Sequence, residues 1–204
     1  MKKKGFLVTI ASPSGGGKSS ICKELLKMNP ALLYSVSWTT RAMRGEEVFG
    51  KDYFFTDEIT FKQKIEAGFF LEYAVVHNNF YGTSKDYIEN CLVEEKIVLL
   101  DIDVQGVELI KKQGYDVVTI FILPPSEDIL RKRLIDRGTD SDEVIKKRLE
   151  NSKKEIDFLS EYDYLVINDD ISKAICNVNN ILSSETNKVS RYINPKKEYY
   201  KIDF

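Results

Sequence analysis

Ten residues near the start constrain this chain more than any others: Ala11-Ser12-Pro13-Ser14-Gly15-Gly16-Gly17-Lys18-Ser19-Ser20. They follow the apolar run Phe6-Leu7-Val8-Thr9-Ile10 and lead into the helical pattern Ile21-Cys22-Lys23-Glu24-Leu25-Leu26. Strand, glycine-rich loop and helix, in that order, is the context a phosphate-binding loop needs. Glycines let backbone N–H groups turn inward and approach an anion closely. The helix that follows adds the positive end of its dipole. In such a loop Lys18 reaches the β- and γ-phosphates of a nucleotide and the Ser19 hydroxyl ligates Mg²⁺. The usual pattern has Gly where this chain has Ser12.

The rest of the chain repeats the strand–helix rhythm. A first strand at 5–11 and a helix at 18–28 are followed by the alternating stretch Tyr34-Ser35-Val36-Ser37-Trp38-Thr39-Thr40, which reads as a strand. Between about 37 and 84 the rhythm changes to short strands and turns. Asp52-Tyr53-Phe54-Phe55 reads as a strand, 57–67 as a helix stopped by Gly68, and Phe69 to Tyr81 as a hairpin broken at Asn78-Asn79. A helix at 84–95 leads to Ile97-Val98-Leu99-Leu100-Asp101-Ile102-Asp103, an apolar strand ending in carboxylates. A carboxylate at that edge can hold Mg²⁺, commonly through water, and Asp101 is the candidate.

A helix from Val104 to Gln113 and a buried strand from Asp116 to Leu123 come next. Ser126 is a good N-cap for a helix carrying Arg131, Lys132, Arg133 and Arg137, of which Arg133 and Arg137 share a face. Asp140 and Glu143 suggest a capping box for a long helix that contains Arg148. Aligned arginines on such a helical pair suit a mobile lid over phosphates, although this segment taken alone reads better as a solvated basic face. Tyr164-Leu165-Val166-Ile167 is a last strand, ending at Asn168-Asp169-Asp170, and a helix follows at 171–184. Alternation of this kind predicts an α/β fold: a parallel sheet with helices on both faces and ligands at the C-terminal ends of its strands. The phosphate loop, residues 37–44, Asp101 and Asn168 all fall at such ends.

Composition narrows the partners. The 204 residues suffice for one domain, or one core with inserted modules, and 43% of them are hydrophobic. Lys+Arg 30 against Asp+Glu 32 gives a net charge of −2, which argues against general nucleic-acid binding. Cys22, Cys91 and Cys176 lack metal-ligand spacing, and their sparse, odd count suits a reducing cytosol. The apolar run after Met-Lys-Lys-Lys is too short for a signal peptide, and no segment is long enough to span a membrane. The sole histidine, His77, beside the turn, reads as structural. Residues 186–204 carry no assignable function.

Taken together, the motifs resemble the guanylate kinases, phosphate-loop nucleoside-monophosphate kinases, from Gly5 to about residue 184. The stretches that carry the resemblance are Ser-Pro-Ser-Gly-x-Gly-Lys-Ser-Ser at 12–20, Ser-Val-Ser-x-Thr-Thr-Arg at 35–41, Gly-x-Asp-Tyr-x-Phe at 50–55, Phe-Leu-Glu at 70–72, Tyr-Gly-Thr-Ser at 81–84, Asp-Ile-Asp-x-Gln-Gly at 101–106 and Asn-Asp-Asp at 168–170. Phe-Ile-Leu-Pro-Pro-Ser at 121–126 and Arg-Gly-Thr-Asp-Ser at 137–141 also match.

The resemblance implies transfer of the γ-phosphoryl group of ATP to GMP, with Mg²⁺, in the cytoplasm, by a monomer or homodimer. It implies a core of 1–36, 85–125 and 156–204, a GMP-binding module at 37–84 and a lid at 126–155. ATP would be held by Ser12, Pro13, Ser14, Gly15, Gly16, Gly17, Lys18, Ser19 and Ser20, with Asn168 near the adenine. Arg41, Arg44, Tyr53 and Tyr81 resemble the clamp on the GMP phosphate, and guanidinium forks do bind phosphate bidentately. Glu72 resembles the guanine reader, Ser37 and Thr83 the contacts at O6, and Asp103 a further guanine contact. Lys18, Arg41, Arg133, Arg137 and Arg148 are the implied catalytic cations; Ser19 and Asp101 are the metal positions.

The chain departs from the family pattern at Met43, where proline is common. Losing that fixed φ predicts a looser loop around Arg44. A guanylate-kinase-like binding module, which grips a phosphopeptide without catalysis, is the competing class. Lys18, Ser19 and Asp101 argue against it.

Overall fold

The computed structural model describes residues 1–76, 78–102, 104–136 and 141–201, with the backbone alone at Val104 and Gln105. In chain order it runs β1 (Phe6–Ala11), α1 (Lys18–Met28), β2 (Leu32–Tyr34), β3 (Trp38–Thr39), β4 (Phe54–Phe55) and α2 (Glu58–Glu66). Then come β5 (Phe70–Val76), β6 (Asn79–Ser84), α3 (Lys85–Val93), β7 (Ile97–Leu100) and α4 (Val104–Lys112). The last elements are β8 (Val117–Leu123), α5 (Glu127–Asp136), α6 (Asp142–Asp157), β9 (Tyr164–Ile167), α7 (Ile171–Thr186) and α8 (Pro195–Tyr200).

Five strands form one sheet in the order β2-β7-β1-β8-β9, with β2 on β7 and β8 on β9 in parallel. Phe6 to Ile10, all of β7, and Val117 to Ile122 are buried without alternation. Strands bury both faces in this way only where helices cover both sides of the sheet. Contacts divide the chain into two compact units: 1–3, 8–30 and 118–204 form one, and 4–7 and 31–117 the other.

The unit around 31–117 contains a second sheet, ordered β4-β3-β6-β5. One end of it is the antiparallel hairpin β5–β6, closed between Val76 and Asn79, with Asn78 at φ 62, a left-handed conformation Asn tolerates. His77 lies outside the described residues. A core of Leu71, Ile88, Cys91, Val98, Leu100, Val107 and Ile110 ties this hairpin to α3, α4 and β7.

One sequence expectation is corrected here: residues 34–40 are not a single strand. Ser35 N–H still donates to Leu99 O at 2.9 Å beside β7, while Phe54 N–H donates to Ser37 O at 2.9 Å in the second sheet. The backbone changes sheets between them. Alternation cannot reveal such a change, because its period is two on either side.

In the other unit α5 and α6 pair through Leu130, Leu134 and Ile145. The N-cap of α6 is Ser141, whose side chain makes no cap bond; Asp140, expected in a capping box, lies outside the described residues. Asp142 and Glu143 still place acid in the first turn, where the helix dipole favours it. Beyond α7 the tail returns to the start of the chain. Lys3 bridges Tyr192, and Ile193 N–H donates to Lys2 O at 3.0 Å. No described helix is long and apolar enough to cross a membrane.

Candidate active site

In the first unit β1 ends at Ala11 and α1 begins at Lys18, with Gly17 as its N-cap. The intervening loop depends on two left-handed glycines, Gly15 at φ 94 and Gly17 at φ 102. A side chain at either position would crowd its neighbours. A Cβ at Gly15 would stand 3.1 Å from Leu130 Cδ1, and one at Gly17 would stand 2.3 Å from Asn168 Nδ2. Helix α5 therefore lays its apolar face on the loop, and Asn168, just past β9, fits against a bare Cα. The first turn of α1 presents the exposed Ser19 and Ser20 and the half-buried Lys18.

Three of the expected residues converge on this loop. Asn168 Nδ2 donates to Gly16 O at 2.7 Å. Arg148 Nη1 donates to the Ser14 hydroxyl at 3.2 Å, and Arg133 Nη2 to Asn168 O at 2.9 Å. Ser12 Oγ, at the departure from the usual Gly, donates to Pro13 O at 3.2 Å. Burial pushes the Glu155 carboxyl of α6 upward, and nearby Lys18 partly offsets this. Arg137 lies outside the described residues.

In the second unit a pocket of about 240 Å³ opens beside the hairpin, lined by Ser37, Tyr53, Glu72, Ala74, Val76, Tyr81, Gly82, Asp101 and Ile102. Glu72 is aimed into it by a register shift in β5 between Phe70 and Glu72. Bulges of this kind re-aim a side chain. Here Leu71 enters the core while Glu72 faces Thr83 across the strands. Thr83 Oγ1 donates to Glu72 Oε1 at 2.6 Å, and both residues are buried. Behind them α4 passes so closely that a Cβ on Gly106 would stand 3.3 Å from Glu72 Oε2. Asp101 follows β7 and is exposed; Asp103 lies outside the described residues.

Arg41 is positioned from β3. Thr39 Oγ1 accepts from Arg41 N–H at 3.1 Å and donates to Phe80 O at 2.9 Å. The guanidinium lies 5.1 Å from the Tyr53 ring centroid, and Tyr53 meets Tyr81 edge-on at 6.0 Å. Three of the four expected phosphate-clamp residues are thus neighbours. The fourth, Arg44, has an exposed side chain.

The residue the sequence did not disclose is Glu47. It accepts from Arg41 Nη1 and Nη2 at 3.0 and 2.7 Å, and from Arg44 N–H at 2.8 Å. Hydrogen bonding to Glu47 raises the Arg41 pKa further above its ordinary value, against burial, which lowers it. The same bond holds the Glu47 carboxyl below its usual range. The loop that Met43 was expected to loosen is closed by this carboxylate and by a turn in which Glu47 N–H donates to Arg44 O at 3.0 Å. Burial, then the charge of Asp101, pushes the Tyr53 phenol up, so it stays a neutral donor at neutral pH.

A family model described as guanylate kinase matches residues 4–185. A guanylate kinase of Clostridioides difficile (strain 630) is 46% identical over 192 residues, covering 94% of each chain. One of Rickettsia typhi is 46% identical over 191 residues, covering 94% of this chain and 97% of its own. The crystal structure of guanylate kinase from Anaplasma phagocytophilum superposes with a TM-score of 0.79 at 32% identity, covering 100% of this chain and 99% of that one.

Proposed function

The chain belongs to the guanylate kinase family and is an ATP:GMP phosphotransferase, and we propose that its two sites divide the substrates between them. The loop at 12–20 takes the phosphates of ATP, and the pocket at Glu72 takes GMP. The observation that carries this is the buried Glu72 carboxylate, 7% exposed, turned into a pocket with Ser37, Tyr53 and Tyr81. Guanine offers N1–H and the 2-amino group side by side, and one carboxylate accepts from both. AMP lacks both donors and would leave that carboxylate desolvated and unmatched. Ser37 and Thr83 serve O6, and Asp103 is kept as a further contact by the family resemblance. Arg41, Arg44, Tyr53 and Tyr81 grip the GMP phosphate. Residues 37–84 are then the GMP-binding module and 126–155 the lid, on the core formed by 1–36, 85–125 and 156–204.

In the reaction a phosphate oxygen of GMP bonds to the γ-phosphorus of ATP. The bond from that phosphorus to the β–γ bridging oxygen breaks, leaving ADP and GDP. The attacking oxygen is already anionic, so no general base is required. Catalysis is positioning and charge neutralisation, supplied by Lys18, Arg133, Arg137 and Arg148.

Mg²⁺ is the metal of this proposal. It takes hard oxygen donors and is usually held by one or two protein groups plus substrate phosphates. The Ser19 hydroxyl, exposed on the first turn of α1, and the Asp101 carboxylate, through water, are donors of that kind. When bound, the ion neutralises phosphate charge. A cytoplasmic setting in purine nucleotide metabolism belongs to the same proposal.

The test is a coupled ADP-release assay with ATP and Mg²⁺, offering GMP, AMP, UMP and dTMP as acceptors. Turnover with GMP alone is expected. Turnover with AMP at a comparable rate would overturn the role given to Glu72.

A further inference from the structure

Asn168 is 2% exposed, and its bonds among the described residues tie it to β8, to Arg133 and to the phosphate loop. Its N–H donates to Leu123 O at 2.8 Å, and its carbonyl accepts from Arg133 Nη2 at 2.9 Å. With the backbone fixed at both ends, Nδ2 donates to Gly16 O at 2.7 Å. Its Oδ1 is buried and has no hydrogen-bond partner among the described residues. An orphaned buried acceptor is destabilising, so an amide at this position is not explained by packing. The Nδ2 donor explains it.

We propose that Asn168 is a positioning residue that locks the Gly16–Gly17 peptide of the loop in its anion-binding orientation. A trans peptide is planar, with its C=O and N–H pointing in opposite directions. Pinning the Gly16 carbonyl to Asn168 therefore turns the Gly17 N–H away from Asn168, into the cradle at the start of α1. Glycine stands on both sides of this peptide, so little in the chain itself opposes a flip that would aim the carbonyl at the phosphates. The fit is mutual: a Cβ on Gly17 would meet Nδ2 at 2.3 Å. Arg133 thereby acts on the loop as well, through the Asn168 carbonyl. The proposal rests on reading 12–20 as the cradle for ATP phosphates.

The experiment measures binding of inorganic tripolyphosphate, ATP and GMP to the full chain by calorimetry. The variants are Asn168→Leu, which keeps the shape without the donor, and Asn168→Ala, which relieves any crowding at Gly17. Loss of one aligned donor to a charged group predicts at least roughly tenfold weaker binding of tripolyphosphate and ATP alike, with GMP affinity unchanged. In wild-type protein the Gly17 amide resonance is expected to move on adding tripolyphosphate, and to stay put in the variants. Weaker ATP with unchanged tripolyphosphate would overturn the proposal, placing Asn168 at the base instead. An unmoved Gly17 amide in wild-type protein that binds tripolyphosphate would also overturn it. Wild-type protein that binds ATP but no tripolyphosphate would bring down the cradle reading, and the proposal with it.

Discussion

Glu47 closes both arms of the Arg41 guanidinium and, with the same Oε2, takes the Arg44 amide. One carboxylate thereby fixes the side chain of one arginine and the backbone of another. A bidentate pair sets the plane of a guanidinium as well as its distance. Glu47→Gln keeps the shape but loses the charge assistance, so KM for GMP is expected to rise by roughly three- to tenfold, with kcat less affected. A fall in KM would mean that Glu47 competes with the substrate phosphate for Arg41, and that it does not position the fork.

The Thr83–Glu72 bond makes a graded prediction. Glu72→Ala removes the proposed base reader and is expected to lower kcat/KM for GMP by at least about 10²-fold, at ~1.4 kcal/mol per tenfold. Thr83→Val leaves the carboxylate in place without the hydroxyl that orients it, and the expected loss is about tenfold. Equal losses in the two variants would assign the discrimination to Thr83 instead.

Gly106 sets two physical preferences against each other. It lies within α4, where Ala is favoured over Gly by about 0.5–1 kcal/mol. Yet a Cβ there would stand 3.3 Å from Glu72 Oε2 and 3.2 Å from Ile102 Cβ. Gly106→Ala is therefore expected to leave Tm unchanged or slightly raised while KM for GMP rises severalfold. Steady-state kinetics beside a thermal melt separates the two. An unaltered KM would show that Glu72 moves aside with no effect on binding.

Local chemistry explains which of these features the sequence disclosed. The phosphate loop was legible because its glycines, Lys18 and flanking apolar runs lie together in the chain, and β1 and α1 fall where that pattern puts them. β9 matches its apolar run for the same reason. Glu47 was not legible: Glu46 stands beside it, and only the turn at Arg44 to Glu47 decides which carboxylate faces Arg41. The tight space at Gly106 depends on α4 approaching β5, and the lock at Gly16 on Asn168 meeting a loop 152 residues away. The tail posed the same difficulty, since no residue from 186 on advertises a partner at the opposite end of the chain.

That tail is anchored by Glu185, which is 1% exposed and accepts from Lys188 Nζ at 2.6 Å, Arg191 Nη2 at 3.1 Å and the Tyr164 hydroxyl. Arg191→Leu removes one donor from a buried carboxylate and is expected to cost about 3 kcal/mol, the low end for breaking a buried pair, because two donors remain. For a chain of this size that is a Tm lower by roughly 10 °C. Burial pushes the Glu185 pKa up, but the hydrogen bonds from Lys188, Tyr164 and Arg191 outweigh it and hold the carboxyl below its ordinary 4.5. The unfolded chain therefore binds the proton more readily than the folded one. The carboxylate's contribution is complete above pH 4.5 and is lost as pH falls through the lower folded value. Thermal melts from neutral pH into acid should show the Tm gap between wild type and Glu185→Gln narrowing below that point. A gap that stays constant would mean Glu185 is already neutral in the folded protein, and the tail would be anchored by neutral hydrogen bonds alone.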